Sequence, residues 1–87
     1  MGYRLEWSTR AQKDLEQVDL VVARRILKKL KWMFEQKDPL VFARQLEHPT
    51  IGDARFRIGD YRVIVTVDKK KQIIVVATVG HRRDIYH

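Results

Sequence analysis

Apolar and polar residues alternate from Tyr3 to Trp7, with Arg4 and Glu6 between Tyr3, Leu5 and Trp7, the period-2 pattern of a strand with one face on a core. Thr9 stands three residues before Gln12, a capping-box spacing, and Ala11, Leu15 and Val18 follow at helical spacing, so a short helix begins at Thr9. Asp19 caps a second predicted helix. There Val22, Ala23, Ile26, Leu27, Leu30, Met33 and Phe34 form a core-facing stripe, with Arg24, Arg25, Lys28, Lys29 and Lys31 on the other side. The two helices should pack as a hairpin. Asp38-Pro39, a cap followed by proline at the first helical position, predicts a third, short helix over residues 39–46, and His48 to Asp53 reads as loop.

Beyond that loop the period becomes 2. Arg55 to Ile58 alternate, Gly59-Asp60 supplies a two-residue turn, and Tyr61 to Val67 is rich in β-branched residues, so the segment predicts a hairpin. Asp68 to Lys71 make the next turn, and Gln72 to Val79 is an almost unbroken Ile and Val run suited to a central strand. The fold class implied is α+β: an N-terminal strand, two or three helices, then a three-stranded antiparallel meander, with the helices packed on one face of the sheet. Residues 1–87 are expected to form a single domain.

The hairpin has a chemical consequence. A two-residue loop sets Ile58 opposite Tyr61, Arg57 opposite Arg62, Phe56 opposite Val63 and Arg55 opposite Ile64, and paired residues share a face. Phe56, Ile58, Tyr61, Val63 and Val65 then point to the helices, while Arg55, Arg57 and Arg62 point away. A three-residue loop at Lys69 to Lys71 would add Thr78, Gly80 and Arg82 to the arginine face, with Gly80 letting a ligand approach the backbone. Exposed arginines are often no more than a solvated surface. Here like charges stand opposite each other with no carboxylate on the same face of the hairpin, an arrangement that an anion would relieve. Trp7, Phe34, Phe42 and Tyr61 read as core, His48 as a loop residue, and Lys69 to Lys71 as a solubilising hairpin tip.

Charge points the same way. The chain has 18 Lys and Arg against 11 Asp and Glu, a net charge of +7 on 87 residues, which favours an anionic partner such as nucleic acid or an acidic protein. With no cysteine and three histidines, thiolate catalysis, zinc ribbons and iron–sulfur ligation are excluded. No apolar run is long enough to span a bilayer, and the expectation is a cytoplasmic protein.

The segments Arg55-Phe56-Arg57-Ile58-Gly59-Asp60-Tyr61-Arg62-Val63-Ile64-Val65 and Ile74-Val75-Val76-Ala77-Thr78-Val79-Gly80-His81-Arg82-Arg83-Asp84-Ile85-Tyr86 resemble the C-terminal half of the RelE toxins of prokaryotic toxin–antitoxin pairs. Trp7-Ser8 and Ala11 to Leu15 fit the same family. The resemblance implies a ribosome-dependent endoribonuclease that cuts messenger RNA in the decoding site by attack of a ribose 2′-hydroxyl on the adjacent phosphate, with no metal or other cofactor. It also implies a RelB-like antitoxin as partner, in an assembly such as a toxin–antitoxin heterotetramer. By position, Arg62 matches the family's phosphate-holding arginine, Arg82 the arginine credited with stabilising the transition state or leaving group, and Tyr86 the tyrosine that stacks on or orients the substrate. Arg55 and Arg57 stand where family members carry lysines, one proposed as general base. A guanidinium with a pKa above about 12 is a poor proton acceptor, which leaves His81 as the nearest titratable candidate. Arg24, Arg25, Lys28, Lys29 and Arg83 complete the candidate RNA contacts. Two other readings compete: a ParE-like inhibitor of DNA gyrase, of similar fold, and a nucleic-acid-binding module without catalysis.

Overall fold

A computed structural model describes residues 2–47 and 51–85. Its elements run β1 (Arg4–Trp7), α1 (Thr9–Gln17), α2 (Leu20–Phe34), a 3₁₀ turn (Pro39–Phe42), β2 (Ala43–Gln45), β3 (Ala54–Ile58), β4 (Tyr61–Asp68) and β5 (Ile73–His81). The strands form one mixed sheet in the order β1-β5-β4-β3-β2. β1 lies parallel to β5 and every other neighbouring pair is antiparallel. The α+β class and the meander are as the sequence predicts. The two helices cover one face, where Ile26, Leu30 and Met33 of α2 and Ala11 of α1 pack with Phe56, Ile58, Val63, Val65, Ile74, Val76 and Val79.

Local chemistry sets the boundaries. Helix α1 starts at Thr9 as expected, but its cap is Ser8, whose Oγ accepts from the Ala11 N–H at 3.0 Å. Asp19 caps α2 by accepting from the Val21 N–H at 3.0 Å. The third predicted helix is corrected. Asp38 and Pro39 do start a helical turn, with Asp38 Oδ1 accepting from the Leu40 N–H at 3.0 Å, but it closes at Phe42. Ala43 to Gln45 then extend and pair with β3, Arg44 opposite Arg55, because the β3 edge satisfies their backbone groups.

The tight turn has the expected register: Ile58 pairs with Tyr61, Arg57 with Arg62, Phe56 with Val63 and Arg55 with Ile64. Gly59 has φ +58°, and a positive φ at the first central position is the II′ pattern that matches strand twist. The next turn differs from expectation. It is a four-residue connection, Lys69 to Gln72, since Asp68 pairs with Ile73. That loop alone would set even residues against odd ones. A β-bulge at Ala77 restores the even pairing, so that Ile64 meets Thr78 and Arg62 meets Gly80.

The bulge is tied to the start of α1. Ser8 Oγ donates to the Ala77 carbonyl at 2.9 Å, while Asp14 Oδ2 accepts from Thr78 Oγ1 at 2.6 Å and from the Val79 N–H at 3.0 Å. Asp14 thereby satisfies the edge of β5 just past the end of β1, where none of the described strands continues the pairing.

Candidate nucleic-acid interface

On the sheet face away from the helices, alternation places Arg44, Arg55, Ile64 and Thr78 in one cross-strand row and Arg57, Arg62 and Gly80 in the next. Arg44, Arg55, Arg57 and Arg62, together with Phe42, line a cavity of about 350 Å³. Among the described residues its lining contains no carboxylate. Arg44 was not among the residues expected from the sequence, because β2 is too short to show alternation and its pairing is with a distant segment. Phe42, expected in the core, is instead 37% exposed at the wall of this cavity.

The turn holds Arg62 in place. Its Nη1 donates to the carbonyls of Gly59 at 3.1 Å and Tyr61 at 3.0 Å, so the guanidinium is positioned by backbone before any ligand arrives, as electrostatic stabilisation requires. Arg57 is exposed and Arg55 partly buried. Ile64, in the same row as Arg44 and Arg55, is fully buried.

The C-terminal segment differs from the expectation in three respects. Gly80 does face the arginine side, but the space over it is occupied by the chain itself: a Cβ there would stand 3.0 Å from Ile85 Cδ1. The Thr78 hydroxyl is consumed by Asp14. Arg82 lies past the end of β5 and outside the cavity lining, at the hairpin turn, where its N–H donates to the Asp60 carbonyl at 2.8 Å and its Nε stands 3.8 Å from Asp60 Oδ1. That ion pair is exposed on both sides, so it is weak and can exchange Asp60 for another anion.

His81 is placed away from the cluster. It pairs with Tyr61, on the helix side of the sheet, and the two rings meet edge to face at 5.5 Å. Its Nδ1 accepts from the Arg83 N–H at 3.1 Å. That bond engages the Nδ1 lone pair on the side of the sheet away from the arginines. Arg83 is exposed in the closing turn. Arg24, Arg25, Lys28 and Lys29 are exposed on α2, in the layer on the opposite face, so they do not join the arginine cavity. Tyr86 and His48 lie outside the described residues.

A family model for the ParE toxin of type II toxin–antitoxin systems matches residues 5–86. The chain belongs to this toxin family. No curated protein matches the chain. Among solved structures, the toxin is similar to a chain of the RelBE2 toxin–antitoxin complex of Mycobacterium tuberculosis, with TM-score 0.81 and 22% identity over 94% of this chain and 100% of that one. It is also similar to a chain of the RelE–RelB complex of the archaeon Pyrococcus horikoshii, with TM-score 0.73 and 28% identity over 97% and 99%. A mutant of the E. coli toxin RelE in the free state, with two arginines changed to alanine, gives TM-score 0.72 and 26% identity over 99% and 90%. The toxin is thus a type II toxin of the RelE/ParE superfamily. No helix of the described residues is long and apolar enough to cross a membrane.

Proposed function

We propose that this toxin acts on RNA, as a ribosome-dependent endoribonuclease that cuts messenger RNA in the decoding site, and that a RelB-like antitoxin neutralises it. The observation that carries the reading is the cavity of about 350 Å³ walled by Arg44, Arg55, Arg57 and Arg62, with no carboxylate among its described lining residues, which matches a phosphodiester in charge and in forked donors. In the reaction, a ribose 2′-oxygen bonds to the adjacent phosphorus while the bond to the 5′-oxygen breaks, leaving a 2′,3′-cyclic phosphate and a 5′-hydroxyl. The arginines stabilise the extra negative charge of the pentacoordinate phosphorus. A preorganised donor of this kind is typically worth roughly 3 to 4 kcal/mol, and Arg62, held by two turn carbonyls, is the strongest candidate. Arg82 supports the leaving oxygen on exchanging Asp60 for substrate, and Tyr86 orients the neighbouring nucleotide.

Arginine does not accept the 2′-hydroxyl proton at neutral pH, and His81 has its Nδ1 occupied on the other side of the sheet. The 2′-hydroxyl proton therefore leaves to the ribosome or to solvent, the same source returns a proton to the departing 5′-oxygen, and the toxin contributes charge and alignment. The match to the ParE family favours a second reading, inhibition of DNA gyrase, to which the arginine cavity contributes nothing evident. Primer extension on programmed ribosomes separates the two: new message ends in the decoding site, lost with Arg62→Gln, are expected. Intact messages together with blocked gyrase supercoiling would replace the first reading by the second.

A further inference from the structure

We propose that Phe42 is a stacking platform for one nucleobase of a single-stranded RNA whose phosphate occupies the arginine cavity; this rests on the RNA-directed reading above. Phe42 is the aromatic residue in the lining formed with Arg44, Arg55, Arg57 and Arg62. Its ring is not loose. It packs on Trp32 with centroids 5.3 Å apart and planes at 58°, and the Asp38-capped 3₁₀ turn fixes its backbone. Trp32 is itself 46% exposed, with Lys29 Nζ 4.9 Å from the centre of its ring.

Two exposed aromatic rings in contact, one beside a guanidinium cluster and the other under an ammonium group, combine the two elements of sequence-tolerant single-strand binding: π faces for bases and cations for the backbone. A phosphate held in a cavity of this size brings its own nucleoside to the wall, and the wall offers an aromatic face there. Prior fixation of the ring by Trp32 lowers the ordering cost of stacking. Lys29, on α2, is linked to the site through Trp32.

The test is fluorescence anisotropy of the whole toxin with a short labelled single-stranded RNA, without ribosomes, using Phe42→Ala, Phe42→Leu and Phe42→Trp, each first checked for folding by circular dichroism. Phe42→Ala and Phe42→Leu should raise Kd by about 5- to 150-fold, the range of one base–aromatic stack, and Phe42→Trp should bind nearly as the parent does. Scanning one abasic nucleotide along the RNA should weaken the parent at one position and leave Phe42→Leu indifferent to it. Full binding by Phe42→Leu while Arg57→Gln and Arg62→Gln bind poorly would overturn the platform and leave the RNA reading standing. If the arginine variants also bind as the parent does, the RNA reading itself fails. Loss confined to antitoxin binding would assign Phe42 to a protein partner and equally overturn the proposal.

Discussion

Replacing Arg57 by Gln should make the protein more stable and less active at once. Arg57 stands directly opposite Arg62, in the pair next to the one that flanks the two-residue loop. The flanking pair exchanges both hydrogen bonds, so this one belongs to the closer class, with Cα atoms about 4.5 Å apart. Arg55 lies two residues along the same face and Arg44 on the diagonal. A directly opposed like-charge pair costs up to about 1 kcal/mol, and with these two neighbours we expect Arg57→Gln to gain about 0.5 to 1 kcal/mol at low salt. For a domain of this size 1 kcal/mol moves Tm by roughly 4 to 8 °C, so thermal unfolding followed by circular dichroism should show a rise of about 2 to 8 °C. The gain should vanish near 1 M salt, where the screening length is about 3 Å. Lys70→Gln in the distant turn controls for the general fall in net charge, and Arg4→Gln, which removes a 2.9 Å pair with Glu6, should give no comparable gain. A gain equal to that of Lys70→Gln, or one that persists in high salt, would refute the view that these guanidinium groups strain one another. RNA cleavage by Arg57→Gln should fall in the same preparation, the trade expected of a site that stores repulsion for a ligand to relieve.

Two further outcomes follow from the frame around the site. Gly52→Ala should destabilise by about 1 to 3 kcal/mol in urea unfolding, since the new Cβ would stand 2.6 Å from Ile64 Cγ2 and 2.9 Å from the Val65 carbonyl oxygen; unchanged stability would mean that the segment before β3 is not packed on β4. Asp14→Ala should cost about 1 to 3 kcal/mol by leaving the Val79 N–H and the Thr78 hydroxyl without their acceptor, and amide exchange at Val79 should rise more than at Val63.

The parts of the fold that were legible in the sequence are those fixed by neighbours along the chain. Gly59-Asp60 determines the register of β3 and β4 residue by residue, and so the shared face of Arg55, Arg57 and Arg62. Asp19 marks the start of α2 because its side chain reaches a donor two residues away. What sequence reading missed depends on partners far off in the chain. Asp38-Pro39 starts a helical turn, yet whether Ala43 continues it or extends is decided by an available β3 edge. With β2 hidden, Arg44 and the outward setting of Phe42 were hidden too. The parallel alignment of β1 on β5 leaves no mark in either strand alone. Residue type marks His81 as a candidate proton acceptor, but its orientation follows from strand parity and from the Arg83 N–H, neither of which residue type reveals.

The extra residue at Ala77 lets the two ends of the β4–β5 ribbon keep different phase. Gly80 and the approach to Arg82 are therefore not slaved to the length of the lysine-bearing tip. Deleting a tip residue with Asp68 still opposite Ile73 leaves these pairings as they are, whereas pairing Ala77 directly with Ile64 would turn the end of β5 over and carry Gly80 away from Arg62. Grafts or loop swaps in this toxin should accordingly keep Asp68 opposite Ile73 and leave the extra residue at Ala77 in place.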